Sequence, residues 1–249
     1  MIKRTELESY KSIVGFNLWQ LEKDYLQHLI LLFLSKHAKD EIVFKGGTAL
    51  QKIHALNRFS IDLDFTAIRP EKIEYIFKKV AQDINKFGYS CELKKKRGSG
   101  MNFSFKIKGP LYDGSERTIS SIRIEISLRE DLLSNPVAKE IIPVYPDIQP
   151  YIVLVIQMDE ILAEKIRAVM TRDNPRDLFD IWFMLRKGAV FRLKFANEKL
   201  KYYSMKFNKE KFAEAVKNKE KIWKTEMGPL VSNVPDFNLV KKFVIENIG

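Results

Sequence analysis

Two aspartates one residue apart, Asp62 and Asp64, lie in the string Phe59-Ser60-Ile61-Asp62-Leu63-Asp64-Phe65, where apolar and polar residues alternate. Side chains on a strand alternate between its faces. The pattern therefore predicts a strand over 59–65 with Phe59, Ile61, Leu63 and Phe65 on one side and Ser60 and both carboxylates on the other. A third acid, Glu125, belongs to a second alternating run, Ser121 to Ser127, with its isoleucines on one face and Arg123, Glu125 and Ser127 on the other. Paired carboxylates on a strand, with a further acid on a neighbouring strand, can ligate Mg²⁺ or Mn²⁺ through oxygen. That chemistry suits phosphoryl or nucleotidyl transfer.

A second feature complements the acids. Ile42-Val43-Phe44 reads as a short strand, Lys45-Gly46-Gly47-Thr48 as a tight turn, and Ala49 to Leu56 as a helix that the Thr48 hydroxyl can cap. Backbone N–H groups and a hydroxyl at a helix N-terminus are aimed at a phosphate, and glycine lets the backbone approach that anion closely. Alone, Asp-x-Asp and Gly-Gly are common strings; their succession within twenty residues is the informative observation.

The remaining elements must position these groups. Leu18, Leu21, Tyr25, Leu26, Leu29, Leu32 and Phe33 recur at helical spacing, predicting an amphipathic core helix to Ala38. A second helix is expected from Glu71 to Phe87, ended by Gly88, followed by strands over Ser90–Leu93 and Asn102–Ile107. Between them, Lys94-Lys95-Lys96-Arg97-Gly98-Ser99-Gly100 reads as an exposed basic hairpin tip. After the segment Pro136 to Pro150 the pattern turns helical, over Met158–Met170, Asp177–Leu185 and most of the Lys-rich remainder. The fold class expected is α+β: an α/β core over 1–155 and a mainly helical region over 156–249.

Composition sets the outer limits. The 249 residues are 45% hydrophobic and 30% charged, with 11 Gly and 9 Pro, which excludes collagen, coiled coil and bulk disorder. Cys91 is the only cysteine, so no intrachain disulfide forms. The opening Met1-Ile2-Lys3-Arg4-Thr5-Glu6 lacks a signal-peptide core, and the longest apolar run, Leu29 to Leu34, is too short for a bilayer. A cytoplasmic protein without membrane contact is expected. The net charge of +11 favours a polyanion as partner, RNA first, through Lys94–Arg97 and the stretch Lys194–Lys224, where Tyr202, Tyr203, Phe207 and Trp223 are available for stacking. Those aromatics read equally well as helical core. No Gly-x-x-x-x-Gly-Lys-Ser/Thr loop, dinucleotide fingerprint or zinc-finger spacing is present.

The string Phe44-Lys45-Gly46-Gly47-Thr48-Ala49-Leu50, followed by Arg58-Phe59-Ser60-Ile61-Asp62-Leu63-Asp64-Phe65, resembles the AbiEii/AbiGii toxin family of nucleotidyltransferases. This family belongs to the DNA polymerase β-like nucleotidyltransferase superfamily, where a Gly-Gly/Ser turn precedes an acidic pair; here Thr48 takes the serine position. Glu164-Lys165-Ile166-Arg167-Ala168 and Arg172 to Asp180 match that family's later Lys and Arg/Asp motifs, so the likeness runs from about Phe44 to Trp182.

The resemblance implies a nucleotidyltransferase-like mixed sheet flanked by helices and a Mg²⁺-dependent transfer of a nucleotide from an NTP to an acceptor such as tRNA. It also implies a toxin of an AbiE-like type IV toxin–antitoxin, phage abortive infection system, with a cognate antitoxin as partner. Residue by residue it implies that Gly46, Gly47 and Thr48 hold the triphosphate, that Asp62 and Asp64 ligate the metal, and that Glu125 is a third ligand or the base. Lys165, supplied by the helical region, would point a cation at the triphosphate with Asp177 holding it. Arg58 and Arg176 would contact phosphate or serve structure. By spacing alone Lys165 is an ordinary solvated helix residue, Asp177 and Asp180 are helix N-terminal acids, and Glu125 is an outward residue of an edge strand. His28, His37 and His54 have no metal-ligand spacing, and Cys91 reads as a small strand hydrophobe. Two rival functions share the acids or the charge: a metal-dependent nuclease, which leaves Gly46-Gly47-Thr48 without a role, and a non-catalytic RNA-binding module.

Overall fold

The computed structural model describes residues 1–96, 101–128 and 131–249, and the chain divides into two compact units. The first comprises Met1–Ala55, Phe59–Glu130 and Pro136–Val155; the second comprises Leu56–Arg58, Asp131–Asn135 and Ile156–Gly249.

Two short helices, α1 (Arg4–Ser9) and α2 (Lys11–Val14), lead into α3 (Leu18–His37), followed by β1 (Ile42–Lys45), α4 (Gly46–His54), β2 (Leu63–Ala67) and α5 (Pro70–Phe87). Strands β3 (Cys91–Lys96), β4 (Met101–Ile107), β5 (Ser120–Ser127), β6 (Val137–Ile141) and β7 (Tyr151–Val155) complete a seven-stranded sheet in the order β3-β4-β5-β2-β1-β7-β6. It is mixed: β2 runs parallel to β5 and β1 to β7, and the other pairs are antiparallel. Helix α3 starts where the sequence lets it. The Asn17 side chain accepts from Gln20 N at 2.9 Å and Gln20 Oε1 accepts from Asn17 N at 3.0 Å, a reciprocal capping box that satisfies two donors. Its apolar stripe, with that of α5, packs the sheet into one core containing Tyr25, Leu29, Phe65, Phe77, Phe103 and Ile124.

The structure differs from three expectations. The helix after the glycines begins at Gly46, so Thr48 lies inside its first turn and does not cap it. The acid strand begins only at Leu63: Ser60 is buried and Ile61 half-buried, the reverse of strand alternation, because side chains from two helices hold 60–62 in place of a strand partner. Lys94–Lys96 continue β3, a sheet edge that the lysines protect from further pairing, while Arg97 to Gly100 lie outside the described residues. Strands β6 and β7 escape the sequence reading; each has five residues, and β6 carries Lys139 and Glu140 between its apolar ends.

The second unit is helical: α6 (Met158–Thr171), α7 (Pro175–Arg186), α8 (Leu193–Lys201), α9 (Lys209–Asn218), α10 (Trp223–Met227) and α11 (Phe237–Asn247). Its core includes Phe179, Phe212 and Trp223, whose indole N–H donates to Pro235 O at 2.9 Å. Lys199 is buried between Glu160, at 2.8 Å, and Glu164, at 3.1 Å. Among the described residues no helix is long and apolar enough to cross a membrane.

Candidate active site

In the first unit the glycine turn and the acids are one construction. Strand β1 pairs antiparallel with β2 so that Lys45 stands opposite Asp64, and the next residue, Gly46, opens α4 with a φ of +76°. A β-carbon there would fall 2.2 Å from Asp64 Oδ2 and 2.9 Å from its Cβ, so only glycine brings the backbone onto this carboxylate. The Asp64 carboxylate thus sits against the positive end of a nine-residue helix. Asp64 also lies in register with Glu125 across the parallel β2–β5 pair.

Asp62, just before the strand, is held through its backbone. Gln27, fully buried on α3, donates to Ser60 O at 2.9 Å and Ile61 O at 2.8 Å, while Gln51 Oε1 accepts from Ser60 N at 2.8 Å. The Thr48 hydroxyl bonds the Asp62 carbonyl and lies 2.8 Å from Ser60 Oγ. A hydroxyl has one proton and a carbonyl can only accept, so Thr48 donates to Asp62 and Ser60 donates to Thr48. Behind this clamp, Asp24 on α3 takes Lys52 of α4, Gln51 Nε2 at 3.2 Å and the Tyr145 hydroxyl at 2.8 Å. Burial alone would raise the Asp24 carboxyl; Lys52 above all keeps it low and charged. Neighbouring His28 is pushed down to about 3, by burial first and then by Lys52, and is a neutral structural group whose Nδ1 lies 2.8 Å from the Tyr151 hydroxyl.

Cations surround the acids. Arg123, two residues before Glu125 on the same strand face, places Nε 3.4 Å from Asp62 Oδ1 and Nη1 3.8 Å from Glu125 Oε1. Lys23 on α3 is buried and donates to Ser121 O at 2.8 Å; burial lowers its pKa, and Glu22 and Asp62 pull against that shift. Period two places Arg123 beside Glu125 in the sequence. Nothing in the sequence links Lys23 or Gln27 to Asp62, because helix–sheet packing makes the connection.

Hard carboxylate oxygens at Asp62 and Asp64, with Glu125 in register, are a donor set for Mg²⁺ or Mn²⁺, and the Gly46 backbone meets the Asp64 carboxylate at a helix head. Among the described residues no three His, Cys, Asp or Glu side chains make a metal cage by themselves. Mg²⁺ sites commonly take one or two carboxylates and finish with substrate phosphates, so the residues fit the ion. An apolar cavity of about 240 Å³ lined by Leu34, Ala38, Phe44, Phe65 and Val153 includes none of these acids.

In the second unit Lys165 is no solvated face residue: it is buried, with Nζ 2.9 Å from Asp177 Oδ1 and 2.7 Å from Asp180 Oδ2. Arg58 binds Asp180 through two bonds of 2.6 and 2.7 Å, and Arg172 binds Asp177 through bonds of 2.7 and 2.9 Å. Burial would lower the Lys165 pKa, but Asp177 and Asp180 outweigh it and raise it; burial would raise Asp177, but Lys165 and Arg172 hold it well below the usual carboxylate range. Arg176 bonds locally to Asn174 Oδ1 at 3.3 Å. Of the aromatics near the second basic stretch, Trp223 is buried and Phe207 packs on Phe191 and Phe212, whereas Tyr202 and Tyr203 are about half exposed. Arg167 Nη1 lies 3.2 Å from the Tyr203 hydroxyl. Burial pushes the Cys91 thiol up to about 12, which makes it inert.

The fold is found in known proteins. The chain is similar over its full length to MenT4, a nucleotidyltransferase toxin from Mycobacterium tuberculosis H37Rv, with 18% identity, 89% of that chain covered and a TM-score of 0.63. It is similar over 91% of its length to JHP933 from Helicobacter pylori, with 18% identity, 89% of that chain covered and a TM-score of 0.60. At these identities the likeness speaks to the fold alone. A search of curated protein sequences finds no match. The family model for the nucleotidyl transferase AbiEii toxin of type IV toxin–antitoxin systems matches residues 31–243, which takes in the Gly-Gly turn, both acid strands and the Lys165–Asp177 cluster. The chain belongs to this AbiEii family and is a nucleotidyltransferase of the toxin type.

Proposed function

We propose that this nucleotidyltransferase transfers a nucleotide from an NTP to an RNA, tRNA foremost, as the toxic half of a type IV toxin–antitoxin pair acting in abortive phage infection inside the cytoplasm. The observation that carries this reading is the contact of Gly46, at the head of α4, with the Asp64 carboxylate: a helix N-terminus, which favours anions, meets one member of the acidic pair. The net charge of +11 supports a polyanionic acceptor.

In this reading the Gly46, Gly47 and Thr48 N–H groups receive the triphosphate; the Thr48 hydroxyl is already committed to the Asp62 carbonyl. Asp62 and Asp64 hold Mg²⁺ or Mn²⁺, with Glu125 as a third ligand or as the base. When bound, the metal neutralises charge on the phosphate oxygens. The acceptor hydroxyl oxygen bonds to the α-phosphorus, the bond from that phosphorus to the bridging oxygen breaks, and pyrophosphate leaves with the electron pair. As base, Glu125 takes the proton of the attacking hydroxyl. In the second unit Lys165 is kept as an ammonium by Asp177 and Asp180, and Arg58, bound to Asp180, serves structure.

The test is incubation of the protein with Mg²⁺, each α-³²P-labelled NTP in turn and total tRNA, beside an Asp62→Asn/Asp64→Asn double variant. Label entering tRNA only with intact acids is the expected result and names the nucleotide. RNA shortened without NTP would replace the transferase reading by a nuclease, and unlabelled intact RNA with every NTP would remove RNA as the acceptor.

A further inference from the structure

We propose that Arg123 is a built-in counter-cation of the acid site, competing with divalent metal for the carboxylates of Asp62 and Glu125. The proposal rests on the assignment of these acids to metal in the preceding reading. Arg123 spans both: Nε is 3.4 Å from Asp62 Oδ1 and Nη1 is 3.8 Å from Glu125 Oε1. The bridge follows from the strand itself, since Arg123 and Glu125 share one face of β5 two residues apart, and β5 runs parallel to the acid strand with Glu125 beside Asp64.

Lys23, which also acts on Asp62, cannot play this part. Lys23 is 5% exposed and fixed by its 2.8 Å bond to Ser121 O, so moving it would take a buried ammonium from its acceptor. The Arg123 side chain is 53% exposed, those of Asp62 and Glu125 are 31% and 50% exposed, and both contacts are ion pairs longer than a charge-assisted hydrogen bond. Asp62 Oδ1 is itself buried and accepts no hydrogen bond from the described residues, so the guanidinium holds it by charge alone, and a divalent ion reaching that oxygen takes over the neutralisation that Arg123 supplies. A guanidinium and a divalent ion neutralise the same oxygens, so binding of the ion must displace or outweigh the guanidinium. Arg123 therefore sets the metal concentration at which the acids become occupied, and keeps the carboxylates neutralised below it.

The experiment is a nucleotide-free titration of the full chain with Mn²⁺, followed by loss of the free-ion electron paramagnetic resonance signal. Proteins are the wild type, Arg123→Gln, Arg123→Lys and Lys78→Gln. The last removes the same unit charge from a solvated pair with Glu74 on α5. Asp62→Asn in the wild-type and Arg123→Gln backgrounds identifies the site, and thermal unfolding confirms that each variant is folded. Arg123→Gln is expected to bind Mn²⁺ about five- to tenfold more tightly, with Arg123→Lys and Lys78→Gln near wild type. Equal or weaker binding by Arg123→Gln, while Asp62→Asn still abolishes it, would overturn the counter-cation role and leave the metal assignment standing. Absence of Asp62-dependent Mn²⁺ binding in every protein would overturn both.

Discussion

Gly46 and Asp64 meet so closely that the missing side chain of one makes room for the carboxylate of the other: a β-carbon on Gly46 would lie 2.2 Å from Asp64 Oδ2. The pairing joins a helix head to an acid strand, and it arises because Lys45 and Asp64 are opposite residues of an antiparallel ladder and α4 follows Lys45 without a loop. The position of the helix head and that of the carboxylate are thereby one geometric quantity, which neither residue controls alone.

Gly46→Ala tests that coupling. The variant must shift either α4 or the Asp64 side chain, and a displacement near 1 Å at reacting groups costs on the order of 100-fold in turnover. Gly114→Ala is the control: Gly114 also has a positive φ, +100°, but no heavy atom within 4 Å of its added β-carbon. It is expected to lose about 1 kcal/mol of stability from backbone strain and to keep its turnover. Urea unfolding beside nucleotide incorporation separates the two effects.

The clamp on 60–62 predicts a graded series. Gln27→Leu removes the donors to two carbonyls, Ser60 O and Ile61 O, and is expected to cost about 2 kcal/mol or more, since buried acceptors left unmade are expensive. Thr48→Val loses the donor to the Asp62 carbonyl and falls in the same direction, by about 1 to 3 kcal/mol, whereas Thr48→Ser keeps the hydroxyl and stays near wild type. Chemical unfolding midpoints at constant slope would show the order; a Thr48→Val protein as stable as Thr48→Ser would refute the clamp.

Much of this was legible beforehand, and the exceptions have physical causes. Asp64 and Glu125 announced themselves by period two because Leu63, Phe65 and the isoleucines of β5 are core residues of a half-buried sheet, whereas Asp62 precedes the strand and its alternation stops at Leu63. The start of α4 did not, because Thr48 after two glycines reads as a cap, and only the tertiary bond to Asp62 draws its hydroxyl away from the helix end. The burial of Lys165 was hidden for the same reason. Its helix spacing is that of a surface residue, and its partners Asp177 and Asp180 come from the next helix. Gln27 and Lys23 are polar positions on α3, indistinguishable by periodicity from solvated ones until the sheet is packed against them.

The Lys165–Asp177 pair makes stability depend on pH in a stated direction. The Asp177 carboxyl, ordinarily at 3.8, is depressed in the folded state, so its contribution is present above that value and is lost as pH falls below it. Lys165 is raised above 10.5, so its contribution is present below that value and is lost as pH rises through the folded one. Asp177→Asn is therefore expected to be less stable than wild type by about 3 kcal/mol near neutrality, with the gap narrowing as pH drops below about 4. Thermal midpoints of both proteins from pH 7 to pH 3 measure it; a gap that stays constant would mean that the carboxylate charge contributes nothing.

Tyr202 and Tyr203 separate RNA contact from core packing. Both are about half exposed, and Arg167 stacks 5.5 Å from the Tyr203 ring, while Trp223, in the same basic stretch, is 1% exposed. An aromatic that stacks on a base contributes about 1 to 3 kcal/mol, so Tyr203→Ala or Tyr202→Ala should weaken binding to a single-stranded RNA between about fivefold and 100-fold with the melting temperature unchanged. Trp223→Ala should do the opposite, lowering stability by about 3 to 5 kcal/mol through the cavity it leaves. Fluorescence anisotropy with a labelled oligoribonucleotide, beside thermal unfolding, distinguishes them. Unchanged RNA affinity in the Tyr202→Ala/Tyr203→Ala double variant would place the acceptor elsewhere on the +11 surface, with the edge lysines Lys94, Lys95 and Lys96 of β3 as the next residues to substitute.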